Sequence, residues 1–151
     1  MTLLELLVAL AIAMSLLALL MGVIIQVMDL TNQGRGQAEL QDGVTLALEQ
    51  LTRELRAAVA VREEKGTLVA TALSGEPVIY YLDRRSRTVV REDATGSHSV
   101  LPAPLEATAF RWQAEGFLLR LTLAARHRPG DNRRWQTFFA TTAVVLRNEE
   151  P

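Results

Sequence analysis

Three polar residues that stand close together, Asp93, Ser97 and His98, are of the types that form a hydrolytic triad. Such a triad needs a serine nucleophile, a histidine base and a carboxylate that orients the histidine. A serine of this kind often lies on a sharp G-x-S-x-G turn between a strand and a helix, and no such motif occurs here. Because all three residues lie in one polar segment, we expect solvated loop residues there, and we expect the chain not to be an enzyme.

Residues that bind metals or phosphates are sparse. His98 and His127 are the only histidines, and neither has a second ligand at helical or hairpin spacing. The absence of cysteine excludes a disulfide framework and a thiolate metal site. Gly34 and Gly36 lack the preceding strand and the third glycine of a phosphate-binding loop. We therefore expect no metal and no cofactor, and we expect both histidines to be solvated loop residues.

Arginines form two clusters around predicted loops. The first surrounds a hairpin and consists of Arg84, Arg85, Arg87 and Arg91. The second flanks the loop at Gly130, beside Trp135, and consists of Arg126, Arg128, Arg133 and Arg134. Basic loops next to an aromatic ring could contact DNA phosphates and stack a base. Alternatively, they are solvated turns that keep sheet edges soluble, and the balanced charge of the chain favours this second interpretation.

Glu5 is the only ionisable side chain among residues 1–28. A carboxylate at the end of an apolar helix costs about 2–4 kcal/mol or more unless it is paired or stays near the membrane interface. The nearest positive group is the α-amino group of residue 1, on the same chain or on a neighbouring one. Alternatively, Glu5 caps the helix, because the helix dipole favours negative charge at its N-terminus. The residue types alone leave both roles open.

The element that carries Glu5 is an apolar run from Leu6 to Ile25, interrupted at two positions only. A helix of about 20 residues spans roughly 30 Å, the thickness of the hydrocarbon core of a bilayer. A secretory signal peptide would place basic residues before the run, whereas Arg35 is the first basic residue of this chain. We therefore expect a transmembrane or filament-core helix over residues 1–28 and a globular head over residues 29–151.

The head carries nearly all the charge of the chain. All 16 basic residues and all acidic residues except Glu5 lie beyond position 28, so the charges of the head balance. A balanced surface gives no general attraction to nucleic acid or to acidic partners. At 151 residues the chain is long enough for one compact domain with one appended element.

The first part of the head has the period of an amphipathic helix. Its apolar residues recur at spacings of four, three, four and three, at Val44, Leu48, Leu51, Leu55 and Ala58. We predict one long helix from about Thr2 to Val61 that is weak at the two glycines of residues 31–36, with a bend near Gly34 or a turn in this segment as alternatives.

The remainder predicts a β-rich region. Residues 78–82 and 88–90 form a predicted hairpin around the turn at 83–86, and further strands are predicted at residues 117–123 and 135–146. A helix followed by an antiparallel meander indicates an α+β fold. We expect the second half of the long helix to pack on this C-terminal antiparallel sheet, which buries one face.

The stretch from Met1 to Ile12 closely resembles the start of mature type IV pilins and type II secretion pseudopilins. The resemblance implies a pilin-like fold, cleavage before Met1 by a prepilin peptidase, and N-methylation of Met1. It also implies that Glu5 is the assembly carboxylate, which pairs with the N-terminal amine of a neighbouring subunit. The residues that would pack in the filament core are Leu3, Leu6, Leu7 and Leu10.

Segments of the head resemble one group within this family more closely. Residues 48–58, 80–83, 89–91 and 144–148 are similar to the corresponding segments of J-type minor pseudopilins and PilW-type minor pilins. The similarity implies a minor subunit that is held in the bacterial inner membrane with its head in the periplasm. Such a subunit then joins major and minor pilin or pseudopilin subunits in a type IV pilus or a pseudopilus, in a complex at the tip that primes the filament.

Two other functions stay open at this stage. The first is a DNA-contacting tip subunit of a competence pilus, in which Arg126, Arg128, Arg133 and Arg134 would contact DNA. The second is an unrelated domain with a single membrane anchor, which a gene without a leader upstream of Met1 would favour.

Overall fold

In the computed structural model, residues 2–128 and 135–146 are described, except for the side chain of Gln33. The chain divides into two compact units, Met1–Arg35 and Gly36–Pro151. One long helix is followed by eight strands: α1 Leu3–Ala57, β1 Ala60–Glu64, β2 Thr67–Thr71, β3 Pro77–Asp83, β4 Thr88–Asp93, β5 Gly96–Ser99, β6 Glu106–Glu115, β7 Leu118–His127 and β8 Gln136–Val145.

Residues 31–36, for which we predicted a weak or interrupted helix, are helical throughout. The Thr31 hydroxyl donates a hydrogen bond to the Val27 carbonyl at 2.8 Å, so this polar side chain is satisfied within the helix. The segment has no proline, and an isolated glycine costs a helix only about 1 kcal/mol. The long helical stretches on both sides therefore outweigh the two glycines.

The second part of α1 buries one face in the head. Its buried residues are Leu40, Val44, Ala47, Leu48, Leu51 and Leu55. The helix ends at Ala57, not near Val61 as we predicted. The backbone of Val59 instead donates to the Thr71 carbonyl at 2.8 Å, and Ala60 pairs with the same residue in register. Strand pairing thus ends the helix, in a segment where β-branched valines favour the extended backbone.

Strands β1 to β5 form an antiparallel sheet in chain order. The predicted hairpin at residues 78–90 is confirmed as β3 and β4. Its turn is held by Asp83, whose carboxylate accepts the backbone N–H of Arg85 at 2.8 Å and the Ser86 hydroxyl at 2.5 Å. Strands β1, β2 and β5 were not predicted.

Strands β6 to β8 form a second, three-stranded antiparallel sheet. The predicted strands at residues 117–123 and 135–146 correspond to β7 and β8, whereas β6 was not predicted. Side chains of β7 alternate strictly, and the inward row is Leu119, Leu121, Leu123, Ala125 and His127. This alternation is the pattern of a sheet with one buried face.

The two sheets share one core with the helix. Side chains from α1, from β2 to β4 and from β6 to β8 belong to a single buried cluster, in which Leu51, Tyr80 and Leu121 are almost fully buried. A backbone hydrogen bond of 2.7 Å from the Ala107 amide to the Arg87 carbonyl joins the sheets. The expected α+β class, with the helix packed on antiparallel sheet, is confirmed.

Candidate functional site

The helix begins with a reciprocal contact between Thr2 and Glu5. The Thr2 backbone N–H donates to Glu5 Oε2 at 2.8 Å, and the Glu5 backbone N–H donates to Thr2 Oγ1 at 3.4 Å. This is a capping box, which satisfies two backbone donors that have no partner inside the helix. Of the two roles that the sequence left open for Glu5, helix capping is therefore present within the chain.

The capping contact uses only half of the carboxylate. Glu5 Oε1 accepts no hydrogen bond from the described residues, and the side chain is exposed. A carboxylate has about four acceptor positions, so Glu5 can keep its cap and still accept a donor from another chain. Met1 lies outside the described residues, and its processing, its methylation and the pairing of its amine with Glu5 remain predictions.

The helix in the first unit has an apolar surface on all sides. Nineteen large hydrophobic side chains between Leu3 and Leu30 are each more than half exposed. Covering half of each would contribute about 1 kcal/mol per side chain, on the order of 20 kcal/mol in all. By its length and hydropathy this helix could cross a membrane. Burial of these side chains against lipid or against other apolar helices would therefore be favourable.

The four residues proposed for the filament core lie on one face of this helix. Leu3, Leu6, Leu7 and Leu10 recur at helical spacing, and their side chains are 54–79% exposed. The only hydroxyl within the predicted apolar run, that of Ser15, donates to the Ala11 carbonyl at 2.8 Å. The polar group therefore does not need a partner from outside the helix, which keeps the surface suitable for an apolar environment.

A polar network in the head joins α1 to the five-stranded sheet. Glu54 Oε2 accepts hydrogen bonds from the buried hydroxyl of Tyr80 and from Arg91 Nε, the latter at 2.8 Å. Gln50 donates to Glu54 Oε1 at 3.1 Å, and Arg91 also pairs with Asp93. Glu54 and Arg91 are 37 residues apart in sequence, so no motif could reveal their contact.

The network shifts the pKa values of its members. Burial raises the pKa of Glu54, but the hydrogen bonds from Tyr80 and Arg91 outweigh burial and hold it below the ordinary value of 4.5. Burial and the Glu54 carboxylate together raise the pKa of Tyr80. Hydrogen bonds from the Thr95 side chain and backbone, with a smaller contribution from Arg91, lower the pKa of Asp93 to about 2. The carboxylates are therefore ionised and the phenol is neutral at pH 7.

In the structure, the arginines group differently from the two clusters that the sequence predicted. Arg91 is bound in the network by Glu54 and Asp93. Arg84 and Arg87 of the first cluster border the same groove as Arg126 of the second, together with Arg111, which belonged to neither cluster.

Two further observations concern the second cluster. The guanidinium of Arg126 pairs with Glu106 at 2.8 Å and lies 4.2 Å from the ring centroid of Trp135. Arg128 is exposed, and Arg133 and Arg134 lie outside the described residues. The ring that we considered for base stacking therefore holds a guanidinium on one face.

His127 is not a solvated loop residue, and that prediction was wrong. It is the last residue of β7 and is 7% exposed, because the alternation of the strand directs it inward. Its Nε2 lies 4.0 Å from Glu39 Oε2, and its Nδ1 is buried without a hydrogen bond from the described residues. The alternation of apolar residues from Leu119 to Ala125, extended by two positions, would have predicted this burial.

The three residues considered for a hydrolytic triad differ in their positions and contacts. The Asp93 carboxylate accepts hydrogen bonds from Thr95 and Arg91. Ser97 and His98 lie in β5 and not in a loop, and both are exposed. Within residues 2–128 and 135–146, no three His, Asp or Glu side chains are grouped so that they could hold a metal ion.

No protein-family model, curated protein or solved structure matches this chain.

Proposed function

We propose that this chain is a minor subunit of a type IV pilus or a type II secretion pseudopilus. In this proposal residues 1–28 hold the subunit in the bacterial inner membrane, with the head in the periplasm, until it is assembled into the filament. The observation that carries the proposal is a helix that is apolar on all sides, with one carboxylate at its first turn whose second oxygen accepts no hydrogen bond from the described residues. The resemblance of residues 1–12 to mature pilins supports it.

The physical mechanism is an exchange of environments for one helix. In the membrane, lipid covers the apolar side chains, and in the filament the helices of neighbouring subunits cover them. Leu3, Leu6, Leu7 and Leu10 offer a helix-packing stripe of this kind. Because lipid and helices are similarly apolar, this exchange requires little work against the hydrophobic effect.

Glu5 would set the register of this packing. In the filament core, its free oxygen accepts a hydrogen bond from the N-terminal amine of a neighbouring subunit. A subunit out of register leaves a buried charge without a partner, which costs about 3–5 kcal/mol. Correct register is therefore favoured over sliding along the otherwise uniform apolar surface. A prepilin peptidase is the partner that would expose this amine at Met1.

The head supports a minor role through its resemblance to J-type pseudopilins and PilW-type pilins, and a place in a priming complex at the tip follows from that resemblance. The DNA-contacting alternative stays a prediction from the arginine clusters.

The test is incorporation into filaments. The gene, with its own upstream sequence, is expressed in a bacterium that assembles pili, and sheared filaments are analysed by immunoblotting and mass spectrometry. We expect the chain in the filaments, with an N-methylated Met1. A version that lacks residues 2–28 behind a cleavable secretory signal serves as the control and should remain in the periplasm. Recovery of the full chain only in the inner membrane, beside assembled major subunits, would refute the proposal.

A further inference from the structure

A basic groove lies where the two sheets of the head meet. It has a volume of about 470 Å³, and its floor is formed by Leu82, Ala107, Ala109 and Phe110. Its rim carries Arg84, Arg87, Arg111 and Arg126. We propose that this basic groove binds an acidic, extended segment of another protein chain. The inference does not rest on the proposed function, because every residue of the groove belongs to the head.

The groove already holds one carboxylate. Glu106 Oε2 accepts N–H groups from Arg87 at 3.0 Å and from Arg126 at 2.8 and 3.0 Å. Such charge-assisted hydrogen bonds are the strong contacts of guanidinium groups. These arginines are therefore set at the spacing that a carboxylate needs, and the guanidinium of Arg126 also packs on the Trp135 ring at 4.2 Å from its centroid.

The remaining arginines of the rim are available to a ligand. Arg84 and Arg111 have no ion-pair partner within the described part of the chain, and both are exposed. Among the described residues, Glu106 is the only carboxylate that pairs with the rim, so the four guanidinium groups leave an excess of positive charge there. A segment with several carboxylates would neutralise this excess.

The backbone fixes this rim in place. Arg87 has a φ of 54°, a left-handed conformation that is unfavourable for a residue with a Cβ atom. Its carbonyl accepts the Ala107 amide across the two sheets at 2.7 Å. Such a conformation persists only where the surrounding structure holds it, and it concentrates at binding sites.

The lining favours a peptide over nucleic acid. Single strands are held by exposed aromatic rings on which bases stack. Phe110, the one aromatic ring in the lining of this groove, is 6% exposed, and Trp135 beside the rim already has Arg126 on one face. The small alanines of the floor allow a backbone to approach closely, and the half-buried Leu82 offers apolar surface at the same level. A phosphodiester backbone has no apolar group for that floor, whereas a peptide can place an aliphatic side chain there between its carboxylates.

The test is fluorescence anisotropy with the full chain in non-ionic detergent at low salt. The probe is a labelled peptide with a leucine between two runs of glutamate, and the competing arms are a short DNA duplex and a single strand of thymidines. Arg84→Ala combined with Arg111→Ala should weaken peptide binding about tenfold or more, since a charge-assisted hydrogen bond contributes about one order of magnitude in Kd. Circular dichroism checks the fold of each variant.

A matched control removes the same charge elsewhere. Arg53→Ala combined with Arg120→Ala changes two exposed arginines outside the groove and should leave peptide binding nearly unchanged. Glu106→Gln should tighten binding, because it removes the internal competitor for Arg87 and Arg126. The inference is overturned by absent peptide binding, by equal effects of the two double variants, or by a duplex or single strand that binds more tightly with the same dependence on Arg84 and Arg111.

Discussion

The two roles of Glu5 can be separated by two substitutions at the start of the helix. Glu5→Gln keeps an oxygen that can accept the Thr2 amide, because glutamine serves in a capping box as well as glutamate, but it removes the charge. Thr2→Ala has the opposite effect, since it removes the hydroxyl that caps the Glu5 amide and keeps the carboxylate. If Glu5 acts through charge, only the first variant should fail to assemble.

The expected magnitudes differ enough to decide between the roles. Loss of the threonine cap costs about 1 kcal/mol. A loss of this size will not prevent a helix of 55 residues from forming. Loss of the carboxylate leaves the amine of a neighbour buried and unpaired, at a cost of about 3–5 kcal/mol. At 1.4 kcal/mol per factor of ten, this cost lowers the equilibrium constant for incorporation by roughly two to three and a half orders of magnitude.

The assay compares the two variants and wild type in the same strain. The inner-membrane fraction reports insertion, and the sheared filament fraction reports assembly. We expect equal insertion for all three chains, near-normal assembly for Thr2→Ala, and loss of Glu5→Gln from the filament. Normal assembly of Glu5→Gln, or equal defects in the two variants, would refute the reasoning, because the cap alone would then account for the residue.

Three further predictions concern the head and are checked by thermal unfolding. Tyr80→Phe should destabilise it by about 1.5–3 kcal/mol, because the buried hydrogen bond to the ionised Glu54 is lost. Gly43→Ala should cost about 1–3 kcal/mol, because its Cβ would lie 2.3 Å from Leu105 Cδ1, whereas Gly22→Ala meets no atom within 4 Å and should leave the head unchanged. Because the pKa of Glu54 is lower in the folded head, its contribution is complete above pH 4.5 and is lost as the pH falls through the folded value. Acidification should therefore destabilise wild type more than Glu54→Gln, and equal sensitivity would contradict this assignment.

The sequence was sufficient for elements with strong local patterns. The apolar run, the period from Val44 to Ala58 and the turn after Asp83 each carry their own signal, and each appears as predicted except that Ala58 lies one residue beyond the helix. The end of the helix and β1 were missed because charged residues at 62–64 conceal an exposed strand. The positive φ angles at Lys65 and Gly66 show that a two-residue turn joins β1 to β2, and glycine in such a turn was the available signal.

The site was predictable only where it is local. Thr2 and Glu5 are three residues apart, and the capping role of Glu5 was among the alternatives. Glu54, Tyr80 and Arg91 meet through helix–sheet packing, which depends on strand register and not on spacing. The basic groove likewise required two sheets to meet, and charge balance over the whole head could not reveal an excess of guanidinium groups at one place.

The position of the buried core has a consequence for how the protein can be altered. Every buried hydrophobic side chain among the described residues lies at or beyond Leu40, and the large hydrophobic side chains from Leu3 to Leu30 are exposed. Changes to the leading helix should therefore leave the melting temperature of the head unchanged, and changes in the core should leave the attraction between leading helices unchanged. The two free energies are expected to add without coupling. In the filament that we propose, selection would then tune the contacts between subunits and the stability of the head through separate sets of residues.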